Sequence, residues 1–166
     1  MFKKRRRDTI SRVIESNLDY LVRFAYYRLG DRDEAEDLVY DAILRFLEKD
    51  TGAIKAEGVR LYLFRIVHNL CLDRTRRGQR ELVRIEGLDV EDGGADGLDR
   101  EDAERINMCL DSLQPREAEV IRMNVVDNLS FVEISSILSI PQSTAKSRYK
   151  AGMDKLRKLY LTNKMS

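Results

Sequence analysis

The sequence predicts an all-α protein built as two small helical domains joined by a flexible acidic linker. Three observations carry that prediction. Apolar residues recur at steps of three and four along most of the chain, and no segment alternates with the period of two that a half-buried strand needs. Charge is segregated: residues 1–80 hold 18 Lys/Arg against 13 Asp/Glu, residues 81–104 hold 2 against 10, and residues 105–166 hold 10 against 6. Gly87, Gly93, Gly94 and Gly97 fall inside the acidic stretch, where like charges repel and there is little apolar surface to bury. The expected organisation is a first domain at 1–80, a linker at 81–102 and a second domain at 103–166. A formal net charge of +1 therefore conceals two basic lobes. Such asymmetry suggests a polyanionic partner, while solvated faces flanking an inert spacer would produce the same counts.

The elements follow in order. Ile10, Val13, Ile14, Leu18, Leu21, Val22, Ala25 and Leu29 trace one face of a first helix, and Gly30 suits the position just past its end. Asp31 and Glu34 form a capping-box-like start for a second helix, whose apolar side is Ala35, Leu38, Val39, Ala42, Ile43, Phe46 and Leu47. Residues 50–58, with Gly52 and Gly58, read as a loop. A third helix is expected from about Val59 to Arg77. It is apolar on more than one side and so belongs at the centre of the first domain. Helices resume near Arg100, with Ala103, Ile106, Leu110 and Leu113 on one face. Gln114-Pro115 separates that helix from the next, Pro115 suiting the first helical position, and Val120, Ile121 and Val125 are expected as core.

Leu129 to Arg148, LSFVEISSILSIPQSTAKSR, has the pattern of a DNA-reading helix-turn-helix. Ser130 and Glu133 make a capping box, and Leu129 and Ile134 sit where a hydrophobic staple fixes the entering chain. Ile134, Ile137 and Leu138 recur at helical spacing. Small Ser135 and Ser139 suit a close helix approach. Ile140-Pro141 breaks the first helix, because the residue before proline is pushed from the α region. Ser143 suits the cap of a second helix carrying Thr144, Lys146, Ser147, Arg148 and Lys150, side chains fitted to a major groove and its phosphates. Ala145, Tyr149, Met153, Leu156 and Tyr160 are its expected core face. An ordinary helical hairpin with a basic solvated face would share the pattern.

Other function classes are disfavoured. Cys71 and Cys109 are far apart and indicate neither a disulfide framework nor a zinc site; buried thiols in a reducing cytoplasm are expected. The basic start, Lys3 to Arg7, precedes an amphipathic pattern and not a secretory core. No apolar run approaches the ~20 residues that span a bilayer. No catalytic residue, metal site or cofactor is indicated, and the expected location is the cytoplasm.

The chain resembles the group 4 (extracytoplasmic-function) sigma factors of the bacterial sigma-70 family. The segment GDRDEAEDLVYDAILRFLEK, Gly30 to Lys49, is similar to the family's core-polymerase-binding helix. YLFRIVHNLCLDRTRR, Tyr62 to Arg77, is similar to its −10-recognition helix. LDSLQPREAEVIRMNVVDNLSFVEISSILSIPQSTAKSRYKAGMDKL, Leu110 to Leu156, is similar to its −35-binding domain. The pattern is not complete. Tyr62 stands where Trp is usual, Ser135 for Ala, Ser139 for Gly, and Ser143-Thr144-Ala145 for Gly-Thr-Val.

The resemblance implies a sigma region 2 bundle, a sigma region 4 helix-turn-helix domain and a non-enzymatic factor. Such a factor directs core RNA polymerase to promoter DNA and answers to an anti-sigma factor. It implies that Asp33, Glu36, Asp37, Leu38, Asp41 and Arg45 dock on a polymerase coiled coil, with Leu38 as an apolar centre inside an acidic rim. It implies −10 contacts by His68, Asn69, Asp73, Arg76 and Arg77, Asn69 and the loop Thr51 to Arg60 holding a flipped base. From the residues alone, Asn69 reads equally as a buried amide bonded to backbone. It implies −35 contacts by Ser143, Thr144, Lys146, Ser147, Arg148 and Lys150. Lys146 and Arg148 lie roughly 200° apart on a helix, so they face different parts of a duplex. One rival is a free-standing LuxR-type regulator, since LQPREAEVIRM also fits that output domain. The other is a metal-dependent nucleotide hydrolase built on Glu34, Glu36, Asp37 and Asp41. It lacks carboxylates from a second helix, which two-metal chemistry needs.

Overall fold

The computed structural model describes residues 2–49, 54–81 and 100–165. The expected linker at 81–102 and the first part of the loop at 50–58 fall largely outside the described residues. All regular structure among the described residues is helical: α1 (Phe2–Leu29), α2 (Arg32–Glu48), α3 (Ala56–Glu81), α4 (Arg100–Leu110), α5 (Pro115–Ile121), α6 (Phe131–Leu138) and α7 (Gln142–Met165). The chain divides into two compact units, Met1–Asp99 and Arg100–Ser166.

In the first unit α1, α2 and α3 pack pairwise as a three-helix bundle. Its core is Leu21, Phe24, Ala25 and Tyr27 from α1, Ala35, Leu38, Val39, Ala42 and Phe46 from α2, and Val59, Leu63, Phe64, Val67 and Cys71 from α3. The rings of Phe24 and Phe64 meet edge to face at 5.4 Å. Gly30 takes φ +77° and its N–H bonds the Tyr26 carbonyl at 2.8 Å, the left-handed turn that lets α1 stop and the chain reverse. Asp31 then caps α2 by accepting from the Glu34 N–H at 3.0 Å. Three boundaries differ from expectation. α1 begins eight residues before Ile10, so Lys3 to Arg7 are helical. α3 begins at Ala56, with Gly58 inside its first turn, and continues past Arg77 to Glu81. Leu47 is 57% exposed and lies outside the core.

The second unit packs α5 and α6 against α7. Leu110, Leu113, Ala118 and Ile121 form one buried cluster, joined by Ile106, Tyr149, Met153 and Leu156. Val120, Met123, Val126, Leu129, Ile134, Ile137 and Ala145 are buried beside it. α5 runs directly into a π-helical turn, Arg122–Val126, closed by the Asp127 N–H on the Arg122 carbonyl at 3.0 Å. The wider turn advances the phase of the helix. Val125, expected inside, is therefore 60% exposed, while Met123 and Val126 take the core positions. Tyr160, also expected inside, is 65% exposed, and Cys109 is an exposed thiol.

Candidate nucleic-acid and partner interfaces

The helix-turn-helix is built by its caps. The Ser130 hydroxyl accepts from the Glu133 N–H, and the Glu133 carboxylate accepts from the Ser130 N–H, both at 3.1 Å. α6 ends at Leu138, and Ser139 follows in the left-handed region at φ 56°, ψ 46°. Ser139 is exposed and does not mediate a close helix approach; it makes the turn that a glycine makes without strain. Ser143 is not the cap of α7. The helix starts at Gln142, and the Pro141 carbonyl accepts its first bond, from Ala145, at 3.1 Å. Ala145 is buried, and the Tyr149 ring meets Phe131 edge to face at 5.3 Å. That seam turns Ser143, Lys146, Ser147 and Lys150 outward along one exposed stripe, with Thr144 and Arg148 half-buried on its flank.

Behind this exposed stripe α7 is locked to α5 by two features that the sequence does not reveal. Glu117 is buried and accepts from Lys155 Nζ at 2.8 and 3.1 Å. This hydrogen-bonded ammonium holds its carboxyl below the usual carboxylate value, against the opposing effect of burial. Gly152 sits where an added Cβ would lie 2.5 Å from Ile121 Cδ1 and 3.4 Å from both Glu117 Cβ and Leu113 Cδ1. The only signals for them in sequence are a charged residue and a glycine inside helical periods.

On α2 the geometry corrects the expected docking centre. Leu38 is fully buried among Ala35, Val39, Ala42 and Phe46 and presents nothing to a partner. The outward stripe is Asp33, Asp37, Tyr40, Leu44 and Leu47, at steps of four and three. Tyr40, Leu44 and Leu47 are 54%, 58% and 57% exposed. Glu36 pairs with Arg32 at 3.1 Å and Asp41 with Arg45 at 3.3 Å along its sides. Exposed pairs of this spacing contribute only tenths of a kcal/mol. An apolar stripe inside an acidic rim is present, but on other side chains than Leu38.

On α3 the expected −10 residues separate. His68 is buried with its ring against Phe24 at 6.4 Å, so it faces the core and not solvent. Asn69 and Asp73 are exposed and line one cleft with Ile66, Leu70, Arg45, Glu48 and Lys49. The cleft thus lies between α3 and the end of α2, with Asn69 and Arg45 both in its lining. Lys49 donates to the Tyr62 hydroxyl at 3.3 Å at the same end of the bundle. Arg74 donates to the Glu34 carbonyl at 3.1 Å, joining α3 to the start of α2. Arg76 is exposed; the side chain of Arg77 is not among those described.

A capped helix-turn-helix with an outward cationic stripe, in a chain that also carries a three-helix unit, defines a DNA-binding class of protein. Residues 13–81 match the sigma-70 region 2 family and residues 109–158 match sigma-70 region 4. The chain is 31% identical over 171 residues to the ECF RNA polymerase sigma factor SigW of Bacillus subtilis, covering 94% of this chain and 91% of that protein. It is 27% identical over 158 residues to SigE of Mycolicibacterium smegmatis, covering 87% of this chain and 59% of that longer protein. The fold is similar to the sigma factor RpoE of Bartonella quintana, solved with the anti-sigma factor NepR. The TM-score there is 0.63 at 22% identity, covering 96% of each chain. It is also similar to CnrH, solved with the cytosolic domain of CnrY, at TM-score 0.62 and 18% identity, covering 92% of this chain and 88% of that one. The chain belongs to the extracytoplasmic-function sigma factors of the sigma-70 family.

Proposed function

We propose that this protein is a promoter-specificity factor that binds core RNA polymerase and directs transcription initiation at −10 and −35 elements. The carrying observation is the pair of region 2 and region 4 matches, in that order, on two separate helical units. The region 2 match accounts for the residues that a free-standing LuxR-type regulator leaves unexplained. The outward stripe of α2 docks the polymerase: Tyr40, Leu44 and Leu47 supply apolar area, and Asp33, Glu36, Asp37, Asp41 and Arg45 supply charge that fits a basic coiled coil. The cleft of Asn69 and Asp73 receives an unpaired −10 base, the amide of Asn69 offering both a donor and an acceptor to a base edge, while Arg76 and Arg77 serve phosphates. Ser143, Lys146, Ser147 and Lys150 enter the −35 major groove, and Thr144 and Arg148 contact its backbone.

The work is binding and not bond-breaking, the location is the cytoplasm, and an anti-sigma factor is the expected regulator, as NepR and CnrY accompany the structural relatives. No helix among the described residues is long and apolar enough to cross a membrane. Run-off transcription with core polymerase on a promoter library is the test. Start-site-specific transcripts that need both factor and core are expected. Nanomolar, sequence-specific duplex binding by the factor alone, unaltered by core, would instead identify a free-standing regulator.

A further inference from the structure

α3 lines its cleft with two adjoining rows of side chains. Ile66 and Leu70, four positions apart and half-buried, form an apolar row; Asn69 and Asp73, also four apart and exposed, form a polar one. From α2 and the residue that ends it come Arg45, Glu48 and Lys49. The cleft between them measures about 370 Å³, within the range of sites that hold one small ligand. Arg45 is paired with Asp41 at 3.3 Å. Lys49 is held differently, by a neutral acceptor. Its Nζ donates to the Tyr62 hydroxyl at 3.3 Å and lies 5.9 Å from the ring centre, at the outer limit of a cation–π contact. The hydroxyl, and not the ring face, is therefore what Lys49 meets. The Tyr62 ring is seated against Phe46 at 5.8 Å, and Phe46 is fully buried. A tryptophan, usual at this position in the family, could not hold Lys49 in this way, because an indole N–H only donates and an ammonium accepts nothing. Lys49 closes α2, where the macrodipole favours a cation, but that effect calls for no hydroxyl on α3. An ammonium has three N–H donors, so the bond to Tyr62 leaves two for a guest in the cleft.

We propose that Lys49, positioned by the Tyr62 hydroxyl, is a specificity-determining residue of this cleft: its ammonium donates to a carbonyl oxygen on the pairing edge of the unpaired −10 base and so favours guanine, thymine or cytosine over adenine. The proposal deepens the function given above and rests on it. A base taken out of the stack is held by apolar side chains against its faces and by hydrogen bonds to its pairing edge. Ile66 and Leu70 supply the first, and Asn69 and Asp73 part of the second. Neither polar residue of α3 excludes a base. Asn69 both donates and accepts, and the Asp73 carboxylate accepts from an N–H, which every base carries on its pairing edge. Lys49 only donates, and so it discriminates. Guanine, thymine and cytosine each present it with a carbonyl oxygen, whereas adenine presents an amino group and one ring nitrogen. A bond from an ammonium to a carbonyl is charge-assisted. A lysine on its flexible stem reads little until its rotamers are narrowed, and the bond to Tyr62 supplies that restraint.

The test uses the full chain with core polymerase on a forked promoter whose −10 non-template strand is unpaired. Each unpaired position is varied in turn through the four bases and an abasic site, and the position whose base preference responds to Asn69→Ala marks the base in the cleft. There the wild-type factor should bind the best carbonyl-bearing base about tenfold more tightly than adenine, the order of one hydrogen bond from a charged donor in a half-open site. Lys49→Met keeps the unbranched stem and should bring this ratio close to unity. Tyr62→Phe keeps the ring against Phe46 and should lower the ratio to about threefold, and Tyr62→Trp should do the same. Ratios are compared, so a general loss of affinity from the missing charge cancels. A wild-type preference for adenine overturns the proposal, and so does a ratio that Lys49→Met leaves unchanged. Equal weakening by Lys49→Met on all four bases and on the abasic strand assigns Lys49 to a phosphate and also overturns it. A ratio unchanged in Tyr62→Phe overturns the positioning role of the hydroxyl. If no position responds to Asn69→Ala, no base enters the cleft and the proposal falls. Absence of promoter-specific run-off by the wild-type factor overturns the underlying function, and is read in a separate assay.

Discussion

Ser139 shows how a single backbone angle explains a sequence oddity. Serine stands there in place of the glycine usual in the family pattern, yet φ 56° at the end of α6 requires a left-handed residue. For a residue with a Cβ that conformation costs roughly 1–2 kcal/mol, partly offset because glycine loses more freedom on folding. Ser139→Gly is expected to raise the stability of the second unit by about 0.5 kcal/mol, and Ser139→Val, whose β-branching is worst in this region, to lower it by more than ~1 kcal/mol. Urea midpoints followed by circular dichroism decide it; a Gly variant less stable than wild type contradicts the assignment. Glu117 makes a pH prediction. Its folded value is lowered, chiefly by the Lys155 hydrogen bonds, from an ordinary value of 4.5. The stability it contributes is therefore fully present above pH 4.5 and is lost as pH falls through the lower folded value. Glu117→Gln keeps an acceptor for the Gln114 N–H, bonded at 3.4 Å, but not the charge. The variant should be less stable at neutral pH and should lose less on acidification. Hydrogen-exchange protection of α5 and α7 amides between pH 7 and pH 3 reads this directly; parallel curves for the two proteins would count against it.

At the scale of elements, α5 and α7 approach closely because Gly152 has no side chain. Alanine there gains about 1 kcal/mol of helix propensity, but its Cβ meets Ile121 Cδ1 at 2.5 Å with Leu113 and Glu117 closing the other sides. Overpacking of a tight contact costs about 1–3 kcal/mol, and Ile121 is itself buried. Gly152→Ala should therefore destabilise by about 1 kcal/mol net, seen as a lower thermal midpoint of the second unit; an unchanged or higher midpoint would show that Ile121 moves freely. On α2 the inward and outward faces separate folding from docking. Leu38→Ala removes a fully buried side chain and should cost about 2–5 kcal/mol, with loss of helical signal on mild heating. Leu44→Arg changes a side chain that is 58% exposed. It should leave the fold intact while abolishing co-purification with core polymerase, because it sets a cation against a basic partner. Normal co-purification of Leu44→Arg would remove the outward stripe from the docking surface.

For the whole molecule, the two units are expected to act at different steps. Lys146→Ala with Arg148→Ala should weaken −35 duplex binding and reduce its salt slope by about 2. Asn69→Ala should keep duplex affinity and impair promoter opening, measured by permanganate reactivity of unpaired thymines. If both variants lose the same step to the same extent, two separate DNA-facing surfaces are not in use. Much of this molecule is determined by its sequence alone. The all-helical class, the cap at Asp31, the capping box at Ser130 and Glu133 and the stop at Gly30 are local, depending on residues within four positions of each other, so periodicity and cap chemistry specify them. The helix-turn-helix was legible for the same reason. What tertiary structure decided is which side of each helix faces the core and how helices are phased past one another. Periodicity already put Leu38 on the apolar side of α2, and only the resemblance made it a docking centre; its burial, and that of His68 against Phe24, was settled by the packing of α1, α2 and α3. Val125 turned outward because a π turn, a feature with no one-residue signature, shifted the helix by part of a turn. Glu117 with Lys155, Gly152 with Ile121 and Arg6 with Ile54 are meetings across 31 or more positions of sequence. Such pairings arise from the summed burial of whole helix faces, and no local pattern encodes them.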